Sequence, residues 1–146
     1  MAMQLRNYAA NFGGRAVAQA KGDRLPSARP AQATILLVED EVLVRLSLAD
    51  ELRSAGYAVF EASSADEALD LLHANGVQLV LSDIRMPGRM NGVELARAIR
   101  AEHPHVKIIL ASGESFSSKH WDENDGFFPK PYDSGRLIQH IKRLVG

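Results

Sequence analysis

Cysteine is absent from the chain. That excludes disulfide staples and thiolate metal centres, and it fits a cytosolic address. No apolar run approaches the roughly 20 residues that cross a bilayer, so neither a membrane span nor a membrane partner is expected. The first thirty residues lack the unbroken apolar stretch of a secretory signal. Net charge is nearly absent too, at −1, but it is unevenly placed. Residues 1–33 carry five Lys/Arg and one Asp, about +4, whereas residues 34–146 carry twelve Lys/Arg and seventeen Asp/Glu, −5. An acidic folded part argues against DNA or RNA as its partner.

At 146 residues the chain can build one domain with a real core. The basic stretch 1–33 has few large apolar residues and several Gly, Ala and Pro, so it reads as a disordered tail. A docking role for that tail is the alternative. Pro26 to Ala33 reads as a linker. The pattern then changes. Thr34 to Val38 is a short apolar run ending in acids, as suits a strand buried on both faces of a parallel sheet. Glu41 to Ala55 places Val42, Leu43, Leu46, Ala49 and Leu52 at helical spacing, and Gly56 closes it.

Strand and helix go on alternating. Tyr57 to Phe60 reads as strand, and Ser64 with Glu67 forms a capping-box pattern before Ala65, Ala68, Leu69 and Leu72. Val77 to Leu81 is the next strand, and Asn91 caps a helix over Gly92 to Glu102. Val106 to Leu110 and Gly126 to Phe128 complete five strands. Asp133 or Ser134 opens a last helix through Val145. The alternation predicts an α/β fold over 34–146: a doubly wound, five-stranded parallel sheet whose functional crevice lies beyond the carboxyl ends of the strands.

Those ends carry chemistry. The first ends in Glu39-Asp40, the third in Asp83, the fourth in Ser112 and the fifth in Lys130-Pro131. Three carboxylates brought together resist ionising, and a hard divalent cation such as Mg2+ relieves the conflict. A lysine and a hydroxyl alongside would complete a site for phosphoryl transfer, with a carboxylate as nucleophile. Each residue also has a plainer reading. The acids could be a solvated helix start, Asp83 a turn residue before Pro87-Gly88, Ser112-Gly113 an ordinary turn and Lys130 surface charge. Four such coincidences at four strand ends weigh less than one site.

The stretches I-L-L-V-E-D-E at 35–41, L-S-D-I-R-M-P-G at 81–88, N-G at 91–92, I-L-A-S-G at 109–113 and F-F-P-K-P-Y at 127–132 resemble the response-regulator receiver family of two-component signalling. The resemblance implies a flavodoxin-like strand order 2-1-3-4-5. It implies Asp83 as phosphoacceptor, Asp40 as a direct Mg2+ ligand, Glu39 acting through water, and the backbone carbonyl of Arg85 as a further ligand. Ser112 and Lys130 would hold the phosphoryl group, the Lys130-Pro131 bond would be cis, and Phe127 would take the aromatic switch position. A sensor histidine kinase or histidine phosphotransfer protein would be the donor, and the downstream partner stays open. Such a chain would not be a turnover enzyme.

Several features depart from the family pattern. The acidic pair is Glu-Asp, the loop after Asp83 is one residue longer than usual, and Phe127 has no hydroxyl. Between Ser112 and Lys130 stand seventeen residues, with Glu114 to Asp125 polar, so the usual fourth helix is expected to be short, displaced or irregular. Arg85 and Glu114 are each two residues past a site residue. They could pair over the pocket and tune phosphoryl lifetime, or stand as independent surface charges. The five histidines show no metal-ligand spacing and are expected at the surface. Trp121, Phe116 and Met90 are expected to pack in loops.

The expected function is a stand-alone phosphoacceptor switch without an output domain. Its alternatives are a phosphate sink, a relay intermediate, or a Mg2+-dependent phosphatase working through an aspartyl phosphate. A flavin carrier is disfavoured, because Glu39-Asp40-Glu41 would repel a bare phosphate.

Overall fold

The computed structural model describes residues 32–113 and 124–146. The tail expected over 1–33 lies outside them except for Gln32 and Ala33. The expected irregular helix, Glu114, Phe116 and Trp121 lie outside as well. Gln32 is exposed, but its amide donates to the Gly56 carbonyl at 3.1 Å, and Ala33 is buried.

The elements are β1 (Thr34–Val38), α1 (Val42–Ser54), β2 (Ala58–Ala62), α2 (Ala65–Ala74), β3 (Leu79–Asp83), α3 (Gly92–Glu102), β4 (Lys107–Ser112), β5 (Gly126–Pro129) and α4 (Ser134–Val145). The strands form one sheet in the order β2-β1-β3-β4-β5, every pair parallel. This is the flavodoxin-like order expected.

Successive strand residues point to opposite faces, so each apolar run feeds two cores. Leu36, Val38, Val80, Ile108 and Leu110 pack with Ala68 and Leu72 of α2 and with Leu95 and Ile99 of α3. Ile35, Leu37, Leu79, Leu81 and Ile109 pack with Leu48 and Leu52 of α1 and with Leu137 and Ile141 of α4. Helices on both faces explain why the strands carry continuous apolar runs rather than alternation. Burying each such Leu or Ile contributes roughly 1.5–3 kcal/mol.

The helix starts are fixed locally. Asn91 Oδ1 accepts from the Glu94 amide at 2.9 Å, and Glu94 Oε1 accepts from the Asn91 amide at 3.1 Å, a complete capping box. Asp133 Oδ1 accepts from the Gly135 amide at 2.8 Å. Ser64 Oγ accepts from the Glu67 amide at 3.2 Å. The reciprocal bond expected there is shifted by one residue, because Glu67 Oε2 accepts from the amide and hydroxyl of Ser63 at 3.0 and 2.8 Å.

Helix α1 departs from its expected packing. Leu48, Ala49 and Leu52 are buried, whereas Val42 is 55%, Leu43 81%, Val44 38% and Leu46 47% exposed. The stripe facing the sheet runs through Arg45, Leu48, Ala49 and Leu52, at spacings of three and four. Leu43 and Leu46 fall on the other flank with Ser47 and Asp50, and Val42 stands in the first turn, past the end of β1.

Candidate functional site

In a parallel sheet every strand delivers its last residue to the same rim. Glu39 and Asp40 directly follow β1, Asp83 ends β3, Ser112 ends β4, and Lys130 directly follows β5. Register ties them together. Asp83 pairs with Ala111, Ser112 pairs with Pro129, and the Lys130 amide donates to the Ser112 carbonyl at 2.7 Å.

The side chains converge. Lys130 Nζ lies 3.1 Å from Glu39 Oε2 and 3.4 Å from Asp83 Oδ2. Carboxylate oxygens of Glu39, Asp40 and Asp83 all lie within 4.8 Å of one another. The Ile84 amide donates to Asp83 Oδ1 at 3.0 Å. Ser112 is buried. Arg85 is exposed and borders a shallow depression with Asp40, Met86 and Pro87. The Lys130-Pro131 bond is cis. Phe127 is half-buried and packs against the cluster of Leu36, Val80 and Leu110. Every expected Mg2+ and phosphoryl residue is therefore placed at or beside this rim, Phe127 lies deeper in β5 opposite Leu110, and Glu114 lies outside the described residues.

Burial raises the Glu39 carboxyl above its ordinary range; the Lys130 hydrogen bond opposes the rise and the Asp83 charge adds to it. Asp83 is raised for the same first reason, with Lys130 opposing. Burial pulls the Lys130 ammonium down, but the Glu39 hydrogen bond and the charges of Glu39 and Asp83 outweigh it, so its proton is held more tightly than usual. One ammonium thus serves two buried acids, Glu39 and Asp83, with Asp40 beside them.

Glu39 is 3% exposed, and its Oε1 is shielded with no hydrogen-bond partner among the described residues. An orphaned buried carboxylate oxygen beside two further carboxylates is a donor set that fits a hard divalent cation.

Some contributors were not read from the sequence. Arg45 Nη1 donates to the Glu39 carbonyl at 2.8 Å, and Arg45 also faces Glu61. Gly92, the first residue of α3, donates its amide to the Ile84 carbonyl at 2.8 Å, and a Cβ there would run into the carbonyl of Asp83. A glycine is required because the helix starts against the strand end itself. Asp125 Oδ2 accepts from the Ile108 amide at 2.8 Å and from Arg100 at 2.9 Å, stapling the entry of β5 to β4 and α3. His140, expected at the surface, is half-buried, with Nε2 2.9 Å from the Asp125 carbonyl oxygen and its ring edge-on to Phe128. Met90 packs against the core, in line with the reading of it as loop packing.

Comparison with known proteins agrees with this geometry. The family profile of the response regulator receiver domain matches residues 35–142. The chain is 40% identical over 119 residues to the sensor kinase CckA of Brucella abortus, covering 77% of this chain and 12% of that protein. It is 28% identical over 115 residues to sporulation initiation phosphotransferase F of Bacillus subtilis, covering 76% of this chain and 92% of that one. Among solved structures, the response regulator TrrA of Thermotoga maritima in complex with Mg(2+)-BeF matches with a TM-score of 0.72 at 33% identity, over 77% of this chain and 98% of that one. Of the C4-dicarboxylate transport regulator DctD of Rhizobium meliloti the chain spans 25%, so much of the similarity is to one domain of longer proteins. On strand order, site geometry and sequence alike, the chain belongs to the response regulator receiver family of two-component signalling.

Proposed function

We propose that the chain is a phosphoacceptor switch in which Asp83 takes a phosphoryl group from the phosphohistidine of a sensor kinase or phosphotransfer protein. The observation that carries this is Lys130 Nζ standing within 3.4 Å of Asp83 and 3.1 Å of Glu39 at the rim where Asp40 also sits. An Asp83 carboxylate oxygen attacks phosphorus, the P–N bond breaks, and the imidazole nitrogen departs with its electron pair. Lys130, held as the ammonium, neutralises phosphoryl oxygens, and the Ser112 hydroxyl donates to another.

Asp40, Asp83, Glu39 and the backbone carbonyl of Arg85 would hold Mg2+. Bound there, the ion would supply the charge neutralisation that one lysine cannot give to three acids and a phosphate. Phosphorylation would then draw Lys130 and Ser112 toward the new group, with Phe127 packing inward as the switch responds. A phenyl ring has no hydroxyl to satisfy, so inward packing carries no polar desolvation cost.

The donor's docking face is proposed to be α1. Of its exposed Val42, Leu43, Val44 and Leu46, Leu43 and Val44 line a groove shared with Lys130, Pro131 and Tyr132, beside the acceptor. An apolar, helix-borne histidine fits that placement, since the reacting nitrogen must reach Asp83. Onward transfer as a relay intermediate is supported by similarity to sporulation initiation phosphotransferase F, 92% of which the match covers. We place these events in the cytoplasm, without turnover of small phosphomonoesters.

Incubation with Mg2+ and acetyl phosphate tests the reading. The wild type should gain an acid-stable, base-labile phosphoryl group and Asp83→Asn should not. Equal labelling of both would overturn the assignment. Sustained hydrolysis of a small phosphomonoester would favour the phosphatase alternative.

A further inference from the structure

His73 is distant in sequence from Glu102 and His103 but not in space. His73 lies in the last turn of α2, Glu102 ends α3, and His103 is its C-cap. His73 Nε2 is 3.1 Å from Glu102 Oε2, and the rings of His73 and His103 are 5.5 Å apart. One donor atom from each of the three lies within 4.8 Å of the other two. We propose that His73, Glu102 and His103 form a binding site for a divalent transition-metal ion of the zinc class, joining the ends of α2 and α3.

The donor set selects the metal. Two imidazoles and a carboxylate suit Zn2+, Ni2+ or Cu2+, whereas Mg2+ and Ca2+ take oxygen ligands. Tetrahedral Zn2+ with ligands at about 2.0–2.2 Å puts neighbouring donors roughly 3.3 Å apart. The His73–Glu102 pair already stands near that spacing. His73 and Glu102 side chains are 51% and 61% exposed, so they are free to adjust by an ångström, and solvent can fill the remaining position.

Two further features favour a cation. His103 Nε2 is shielded from solvent and has no hydrogen-bond partner among the described residues, so the cluster contains an unmet bonding need. The site also sits where the C-terminal ends of α2 and α3 meet, and both helix dipoles are negative there. A further imidazole, His105, has its ring 6.3 Å from that of His103.

The topology separates this site from the phosphoacceptor. The ends of α2 and α3 lead into the starts of β3 and β4, so the cluster lies at the amino rim of the sheet, while Asp83 lies at the carboxyl rim. The proposal therefore does not depend on the phosphoacceptor reading. The two rims would sort metals by hardness, Mg2+ on oxygens at one and Zn2+ on nitrogens at the other.

The test uses the full chain carrying Asp83→Asn, in excess Mg2+, so that the acidic rim does not compete. Zn2+ is titrated by calorimetry, and the melting temperature is read with and without the ion. One Zn2+ per chain in the micromolar range, with a rise in melting temperature, is expected. Adding His73→Gln, at an exposed position that leaves the fold intact, should abolish both, and adding His140→Gln should change neither. Unchanged binding in the His73→Gln chain overturns the site. So does the lack of any micromolar binding in the parent, which would leave His73–Glu102 as a plain surface pair.

Discussion

Arg45 donates from Nη1 to the backbone carbonyl of Glu39 at 2.8 Å. Its Nε stands 3.5 Å from Glu61 Oε1, and Glu61 Oε2 meets Arg53 at 3.0 Å. The second turn of α1 thus ties the end of β1 to β2, and Glu61 already offsets much of the Arg45 charge. Arg45→Gln would have two opposed effects. Removing a cation near three acids favours Mg2+, and releasing the Glu39 backbone disfavours it. Because Glu39 is buried and Arg45 is already paired, positioning should win, and Mg2+ affinity should fall several-fold while the melting temperature changes little. Calorimetric titration with Mg2+ checks this. Tighter binding would show that charge alone governs.

Removal of the metal should reverse the stability order of two chains. Without Mg2+, Asp83 and Glu39 share one ammonium, and burial disfavours their charged forms. Asp83→Asn deletes one of the crowded charges and should stabilise the metal-free protein at neutral pH by on the order of 1 kcal/mol. Saturating Mg2+ binds the folded wild type and should close or invert the gap. Thermal melts with and without EDTA give the four values needed. A wild type that is more stable than Asp83→Asn in EDTA contradicts the crowding argument.

Gly92→Ala should destabilise the domain by roughly 1–3 kcal/mol, because a methyl at that position meets backbone rather than a movable side chain. The displaced groups are the carbonyl of Asp83 and the Cα of Ile84. Phosphorylation by acetyl phosphate should therefore slow even at temperatures where the variant is folded. Gly76→Ala is the control, since nothing lies within 4 Å of its added carbon. Denaturant melts of the two variants should differ clearly.

How much of this was legible depends on what each residue packs against. The buried runs Ile35 to Val38 and Ile108 to Ala111 announced a two-faced sheet, because only such strands are apolar throughout. The ends of β3 and β4 were read two residues early. The large apolar side chains stop at Leu81 and Leu110, while the ladder continues through Ser82-Asp83 and Ala111-Ser112. The polar ends belong to the site, and the chemistry there hides the strand. The phase of α1 was misread because its apolar residues exceed what the sheet covers, and periodicity alone does not say which of them face inward. The His73–His103 pairing was invisible, since the two are thirty residues apart and meet only through packing of α2 beside α3.

That surplus of apolar residues on α1 yields a prediction that separates docking from chemistry. Leu43 is the most exposed of them and lies outside both cores. Leu43→Asp should leave the melting temperature unchanged, because no buried contact is lost. Phosphorylation by acetyl phosphate should also be unchanged, since a small donor needs only the rim around Asp83 and Lys130. Transfer from a histidine kinase that phosphorylates the wild-type chain should slow by about tenfold, the scale of losing one well-packed interface residue. Time courses with both donors on both chains decide the matter. Equal slowing with both donors would place the defect in the acceptor site, and no slowing with either would remove α1 from the docking face.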